Sequence, residues 1–330
     1  MPFFLRFCKR NGTIARMKFR VSVPATSANV GPGFDVMGVA FDMFNRFTFD
    51  TDAAGLSVDG CEEAFRDPAE NLVIRAVNGT MAKFGRLPVS RLALSIDADL
   101  PVSGGLGSSS TCIVAGIMAA NEMGGFDMTQ EEILRLATAM EGHPDNVAPA
   151  ILGGFVSAVV QDDLVFWHRH PISPRVSFYV MIPDHRVSTE EARSILPDSY
   201  SRADCIYNMS RVPILVEGLK SADSRLIRAG CRDRIHQSFR ARLTPDCETL
   251  LDWASRCGEA ATAYISGSGP TLCAIVVDDD GSFLHSAERF TAPLKLDWKI
   301  SKTHINLTGA LVRRYGQAAH DGAAAKQNKD

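Results

Sequence analysis

The sequence predicts an α+β protein built as two lobes. Three observations carry that expectation. The chain has 330 residues, more than one core of ordinary size organises. Short segments of strict apolar/polar alternation recur along it, as half-buried strands require. In both halves these segments are followed by helical patterns, which is the order of packed α+β layers.

The elements follow in order. Phe19, Val21 and Val23 alternate as a first strand, and the run from Val23 to Asp35 is rich in Pro, Gly, Ser, Thr and Asn and reads as a long turn. Phe47 and Phe49 mark a second strand; Leu92, Leu94 and Ile96 mark a third. Ser103 to Ser110 is a glycine/serine loop, and a helix follows it to about Met123. Thr129 with Glu132 forms a capping box that opens a helix running to about Glu141. Asn146 to Gly154 reads as a turn-rich connection, and a domain boundary is expected near Asp162 and Asp163. The second half holds a strand at Val176 to Ile182, a helix near Asp246 to Arg256, a strand–glycine turn–strand unit from Ala263 to Val277, and a last strand near Lys299 to Leu307. These readings divide the chain into an extension at 1–17, an N-terminal domain at 18–165, a C-terminal domain at 166–316 and a mobile tail at 317–330.

Composition narrows the function. Hydrophobic residues make up 45% and charged residues 22%, a globular balance. With 35 basic and 38 acidic side chains the net charge is −3, so there is no global basic field for nucleic acid. No apolar run reaches the ~18 residues of a membrane span. The eight cysteines contain no CxxC pair, against a zinc ribbon or a redox centre, and read as reduced thiols of a cytoplasmic protein. His168 and His170 are read as solvated residues rather than metal ligands.

Four segments concentrate chemistry. In LPVSGGLGSSST, Gly104, Gly105 and Gly107 let the backbone approach a ligand, and Ser108, Ser109 and Ser110 lead into a helix. A helix N-terminus offers unpaired N–H groups and partial positive charge, a ready seat for phosphate. A serine-capped turn is the plainer reading of a generic Gly/Ser stretch. Walker A and dinucleotide loops are excluded, since neither Gly-Lys nor GxGxxG occurs. The second segment, VPATSANVGPGFDV, holds Asn29 and Asp35 among rigid turn residues; the third, EGHPDN, packs Glu141, His143, Asp145 and Asn146 together; the fourth, SGSGPT, places glycines between strands. Each taken alone also reads as an ordinary polar loop. No GxSxG elbow supports a serine hydrolase.

Together and in order, PATSANVGPGFD, GLGSSS and SGSGPT resemble the GHMP kinases, over about Lys18 to Val312. EGHPDNVAPAILGG, STEEARSILP and HQSFR are most similar to the homoserine kinase branch. The resemblance implies a ribosomal S5 domain 2-like N-terminal lobe, a ferredoxin-like C-terminal lobe, and a kinase that uses ATP and Mg²⁺ to phosphorylate L-homoserine in threonine biosynthesis, without membrane or nucleic-acid partners and as a homodimer. It implies an ATP site at Asn71, Pro101, Ser103, Gly104, Gly105, Leu106, Gly107, Ser108, Ser109 and Ser110, with Ser109 and Glu141 as Mg²⁺ partners. Asp35 would meet the substrate ammonium, and the guanidinium forks of Arg193 and Arg240 its carboxylate; Arg234 is a secondary candidate. Asn29 and Gly267 would complete the substrate pocket, and His143, Asn146 and Thr189, with Arg193, the catalytic set. Asp145 is not assigned as a base, because proton transfer to the phosphate itself suffices. Ser110 and Thr111 depart from the small alanines common at these places in the family. A mevalonate-type kinase, whose substrate has no ammonium, and a non-catalytic nucleotide-binding relative are the alternatives.

Overall fold

The structure is a computed structural model, and it describes residues 15–258 and 262–315. The expectations for residues 1–14 and for the tail from 317 lie outside the described residues.

The elements in chain order are β1 (Lys18–Ala28), β2 (Met37–Asp50), β3 (Leu56–Asp59), α1 (Leu72–Lys83), β4 (Leu92–Ala98), α2 (Ser108–Gly124), α3 (Gln130–Glu141), α4 (Pro144–Leu152), β5 (Phe155–Gln161) and β6 (Leu164–His170). They are followed by β7 (Val176–Pro183), α5 (Thr189–Ser194), α6 (Arg202–Ser221), α7 (Ser224–Gly230), α8 (Gln237–Arg240), α9 (Cys247–Arg256), β8 (Thr262–Ile265), β9 (Leu272–Val277), α10 (Ser282–Thr291), β10 (Trp298–Thr303) and β11 (Leu311–Arg314). The first sheet runs β11-β1-β2-β4-β3, and the N-terminal end of the long β2 also pairs with β5, which pairs with β6. The second sheet is antiparallel, in the order β10-β7-β9-β8.

Alternation decides which faces are buried. Phe19, Val21 and Val23 of β1 and Phe47 and Phe49 of β2 point to one side, where they pack on Val73 and Val77 of α1, Ile113 and Ile117 of α2, Leu134 of α3 and Val147 of α4. A second core joins the lobes: Phe41 and Phe155 of the first sheet meet Phe178, Val180 and Ile275 of the second, with Leu106, Leu215 and Ile227 filling between. The Phe41 and Phe178 rings lie 5.5 Å apart. A third core, with Tyr179, Leu250 and Phe283, covers the other face of the second sheet under α9 and α10.

Several boundaries differ from the sequence reading. β1 does not end at Val23 but continues through PATSA to Ala28, because a bulge at Pro24/Ala25 keeps it in register with β2 beyond the proline. Most of Asn146 to Gly154, expected as a turn-rich connection, is helix α4 (Pro144–Leu152): Pro144 occupies the first turn, where its missing N–H is harmless, and nearly every side chain is buried. The serines 108–110 lie inside α2, not before it. Asp162 and Asp163, expected near a domain boundary, form the tip of the β5–β6 hairpin, and a boundary at 165/166 would cut β6; the chain passes to the second sheet only after His170. β11 returns to pair with β1, so residues 311–314 belong to the first sheet. Among the described residues, no helix is long and apolar enough to cross a membrane.

Candidate active site

A cavity of about 600 Å³ runs between the lobes. At its centre the chain bends through Ser103 (φ 55°), Gly105 (φ 77°) and Gly107 (φ 72°) into α2. Gly105 cannot carry a side chain: a Cβ there would lie 2.4 Å from the Ser266 carbonyl oxygen and 2.6 Å from that of Gly269. The SGSGPT turn therefore presses directly on the loop, and the Ser266 hydroxyl donates to the Gly105 carbonyl at 2.6 Å. The cap position of α2 is Gly107, which has no side chain to satisfy the first-turn N–H groups. Those amides lie at a helix end whose Gly107, Ser108 and Ser109 line the cavity, the kind of place where a helix N-terminus can receive an anion.

Beside this loop Glu141, at the end of α3, accepts from the Ser110 hydroxyl at 2.8 Å and from Ser109 at 3.3 Å. Ser110 is fully buried, and its side chain faces away from the cavity to hold the carboxylate of Glu141. Thr111 is likewise internal, accepting from Asn45 at 3.0 Å and donating to the Ser108 carbonyl at 2.7 Å. The Leu106 side chain is buried in the core between the lobes, and its carbonyl accepts from the Thr26 amide at 3.1 Å. Asn71 lines the cavity, but its side chain caps α1 by accepting from Val73 and Ile74.

At the other end, the PATSAN strand and the residues after it deliver Asn29 and Asp35, both in left-handed backbone conformation. Asn29 donates to the Gly267 carbonyl at 3.0 Å and accepts from the Asp35 amide at 2.9 Å, tying the early motif to the late one. Asp35 and Arg193, expected to hold opposite ends of a zwitterion, form a bidentate pair at 2.8 and 3.1 Å. The hydrogen bonds that Arg193 donates to Asp35 outweigh burial and hold the Arg193 pKa above its ordinary value. Arg240 is buried and donates to the carbonyls of Ala192 and Gly267 at 3.1 and 2.8 Å, bonds that leave its Nη2 group unused. Burial, with Arg193 close by, pushes its pKa down to about 10, so it stays charged at neutral pH. The Phe34 ring lies 5.1 Å from the Arg240 guanidinium carbon and 5.8 Å from that of Arg193, within cation–π range.

Between the two ends, Thr26 donates to Asn146 at 2.8 Å, fixing its amide, and His143 Nδ1 lies 2.6 Å from Asp145 Oδ1. Burial alone would lower the His143 pKa; the hydrogen bond and negative charge of Asp145, with Asp35 nearby, reverse this and raise it. Thr189 opens α5 and faces the cavity, as do Pro101, Ser103, Gly104, Gly105, Gly107 and Ser108. Arg234 is not in the site: it pairs with Asp204 at 3.3 Å and lies over the Tyr207 ring. His236, from the HQSFR segment, is fully buried and bonds the Gly31 carbonyl through Nε2 at 3.1 Å, supporting the loop that carries Asp35. His168 and His170 stack edge to face on β6, and His170 bonds the Ser157 hydroxyl.

Sequence reasoning missed three contributors. Thr26 sits within the quoted PATSAN segment, and its hydroxyl next to an expected turn was the available signal. Ser266 was passed over in favour of its glycine neighbours. Arg186 lines the cavity and pairs with Glu62 of the first lobe at 2.7 and 3.2 Å; nothing in its local sequence points there.

A kinase cleft divided between a phosphate seat and a charged substrate pocket is the class of site this geometry defines. The GHMP kinases N terminal domain profile matches residues 71–154, and the GHMP kinases C terminal profile matches 215–287. The chain belongs to the GHMP kinase family. Its relatives include a homoserine kinase of Clostridium beijerinckii, 40% identical over 293 residues, covering 88% of this chain and 97% of that protein. A homoserine kinase of Clostridium botulinum is 37% identical over 88% of this chain and 97% of its own length. The crystal structure of homoserine kinase from Cytophaga hutchinsonii superposes with a TM-score of 0.79 at 26% identity, covering 92% of this chain and all of that one.

Proposed function

We propose that this chain transfers the γ-phosphoryl group of ATP to the hydroxyl of L-homoserine. The observation that carries the reading is the juxtaposition of an uncapped α2 N-terminus and Glu141 with a pocket that holds both Asp35 and the guanidinium groups of Arg193 and Arg240. A substrate with both an ammonium and a carboxylate matches that charge pattern, whereas a mevalonate-type substrate brings no ammonium to replace Arg193 at Asp35.

Each residue has a physical task. The first-turn amides of α2 and the backbone of Gly104 to Gly107 hold the phosphates. Glu141 and Ser109 present hard oxygen ligands at the edge of the phosphate seat, a donor set that suits Mg²⁺. When bound, Mg²⁺ supplies charge neutralisation between phosphate oxygens. Asp35 and Arg193 neutralise each other in the free protein, and the zwitterion exchanges that internal pair for two external ones: ammonium to Asp35, carboxylate to Arg193 and the free edge of Arg240. Asn146, locked by Thr26, and His143, locked by Asp145, flank the hydroxyl and orient it in line. Asp145 is buried and hydrogen-bonded to His143, so it serves as a positioning residue and the hydroxyl proton passes to the phosphate.

The test is a coupled ADP-release assay with a panel of alcohols: L-homoserine, L-serine, mevalonate and galactose. Turnover selective for L-homoserine is expected. Preference for mevalonate, or ATP binding without turnover on any alcohol, overturns the reading.

A further inference from the structure

The Glu62–Arg186 pair crosses the catalytic cleft, and no step proposed above uses it. Both side chains line the cavity, Glu62 from the first lobe and Arg186 from the second. The segment that carries Glu62 is pinned at both ends. Gly60, at φ 79°, backs onto β4 so closely that a Cβ would lie 2.0 Å from the Ile96 carbonyl oxygen, and the Phe65 carbonyl accepts from Asn71 Nδ2 at 2.8 Å. The cavity wall here is apolar: Cys61, Phe65 and Leu72 join Ile96 and its cross-strand partner Phe47, a lining that suits a flat base. Arg186 starts beside the phosphate seat, since the amide of the next residue, Val187, donates to the Ser103 carbonyl at 3.5 Å. Its side chain therefore runs from the glycine loop to the apolar end, alongside the space between base and phosphates.

The charges make this pair exchangeable. Among the described residues that line the cavity, four are cationic: Arg66, Arg186, Arg193 and Arg240. Arg193 and Arg240 are engaged at the substrate end, by Asp35 and by the Ala192 and Gly267 carbonyls. Arg66 directs its Nε to the Cys61 carbonyl at 3.4 Å, at the apolar end. Arg186 is the guanidinium next to the glycine loop. It meets both oxygens of Glu62, at 2.7 and 3.2 Å, with the two-point fork that also fits a phosphate. The two side chains are 62% and 45% exposed, and a pair so exposed to water is weak. A nucleotide's phosphate chain carries more negative charge than one carboxylate and repels Glu62 as it enters.

We propose that Arg186 is a nucleotide-binding residue: Glu62 is its partner in the free protein, and Arg186 exchanges that carboxylate for the phosphate chain when Mg-ATP binds. The contact rests on the kinase function proposed above and adds a cationic side chain to a seat otherwise built from backbone amides. The experiment is calorimetric titration of Mg-ADP into the full chain and into Arg186→Met, Glu62→Gln and the double variant. Arg186→Met is expected to bind ADP about tenfold more weakly than the parent. Glu62→Gln is expected to bind about two- to fivefold more tightly, the range set by release of an exposed pair. Added to Arg186→Met, Glu62→Gln is expected to change nothing further. Parent-like affinity in either single variant overturns the proposal. So does weaker binding in both, which identifies a fixed clasp that shapes the cleft, and so does equal tightening by Glu62→Gln with and without Arg186→Met, which identifies simple repulsion. The titrations contain no alcohol. A parent that binds ADP but does not phosphorylate L-homoserine overturns the proposed function and leaves this contact standing, whereas turnover on L-homoserine with parent-like ADP affinity in Arg186→Met does the reverse.

Discussion

Replacing Gly105 by alanine tests whether the phosphate seat is built by backbone contact between the lobes. Two effects combine. A side chain at φ 77° meets the left-handed penalty, about 1–2 kcal/mol. The added Cβ would also sit 2.4 Å from the Ser266 oxygen, where ordinary contact begins at 3.4 Å, so the loop or the turn must move by the difference, 1.0 Å. The opposing atoms are backbone carbonyls and cannot rotate away. A displacement of about 1 Å in a positioning loop lowers catalysis by about 10²-fold, or ~2.7 kcal/mol of transition-state stabilisation. Gly125 provides the control: its φ is 57°, and nothing lies within 4 Å of an added Cβ. Urea unfolding and the coupled ADP-release assay are run on both variants. Gly125→Ala is expected to lose about 1 kcal/mol of stability with unchanged kinetics, and Gly105→Ala to lose more stability together with the 10²-fold fall in kcat/KM. Parent-like kinetics in Gly105→Ala, or an equal kinetic loss in both, would refute the argument.

Three further outcomes follow from named contacts. Arg193→Leu removes one half of a half-buried pair and leaves Asp35 uncompensated; kcat/KM for L-homoserine should fall about 30-fold, ~2 kcal/mol after allowing for solvent exposure, with KM for ATP little changed. Ser110→Ala deletes the 2.8 Å hydrogen bond to Glu141, worth about 1 kcal/mol, so the Mg²⁺ concentration for half-maximal rate should rise about fivefold while the ATP KM measured at saturating Mg²⁺ stays near the parent value. His236 is fully buried, and burial lowers its pKa below the ordinary value. The unfolded chain therefore binds the extra proton first as pH falls below about 6.5, and stability is lost from that point downward until the folded imidazole also protonates. Urea melts at pH 7.5 and 5.5 should show an excess loss of up to about 1.4 kcal/mol in the parent over His236→Gln; identical slopes would exclude His236 as the source.

Local rules made much of the site legible. Glycines followed by serines at a helix start marked a candidate phosphate seat, and Thr129 with Glu132 announces the start of α3, whose far end presents Glu141; both halves of that capping box are present. Less legible were elements whose local signals conflict with their packing. The proline in PATSA argued for a turn, yet a bulge absorbs it and β1 runs on. α4 carries prolines and is buried almost all round, so it has no polar face to betray its period. α6 contains Pro213 and shows no clear apolar stripe, and was not anticipated. Ser110 shows the same limit at atomic scale: its place in the loop suggested a ligand contact, and the rotation of α2 turns it inward to Glu141 instead.

The sequence alone determined the local chemistry: a bendable loop entering a helix, an acidic helix end, and the supply of arginines and carboxylates, because propensity, capping and glycine conformation act within a few residues. Only the tertiary structure decided which of these groups meet. Asp35 and Arg193 are 158 positions apart in the chain, and Gly105 and Ser266 are 161 apart. Their contact is set by the packing of the two sheets through the core around Phe41 and Phe178, a long-range outcome that no short window of residues encodes.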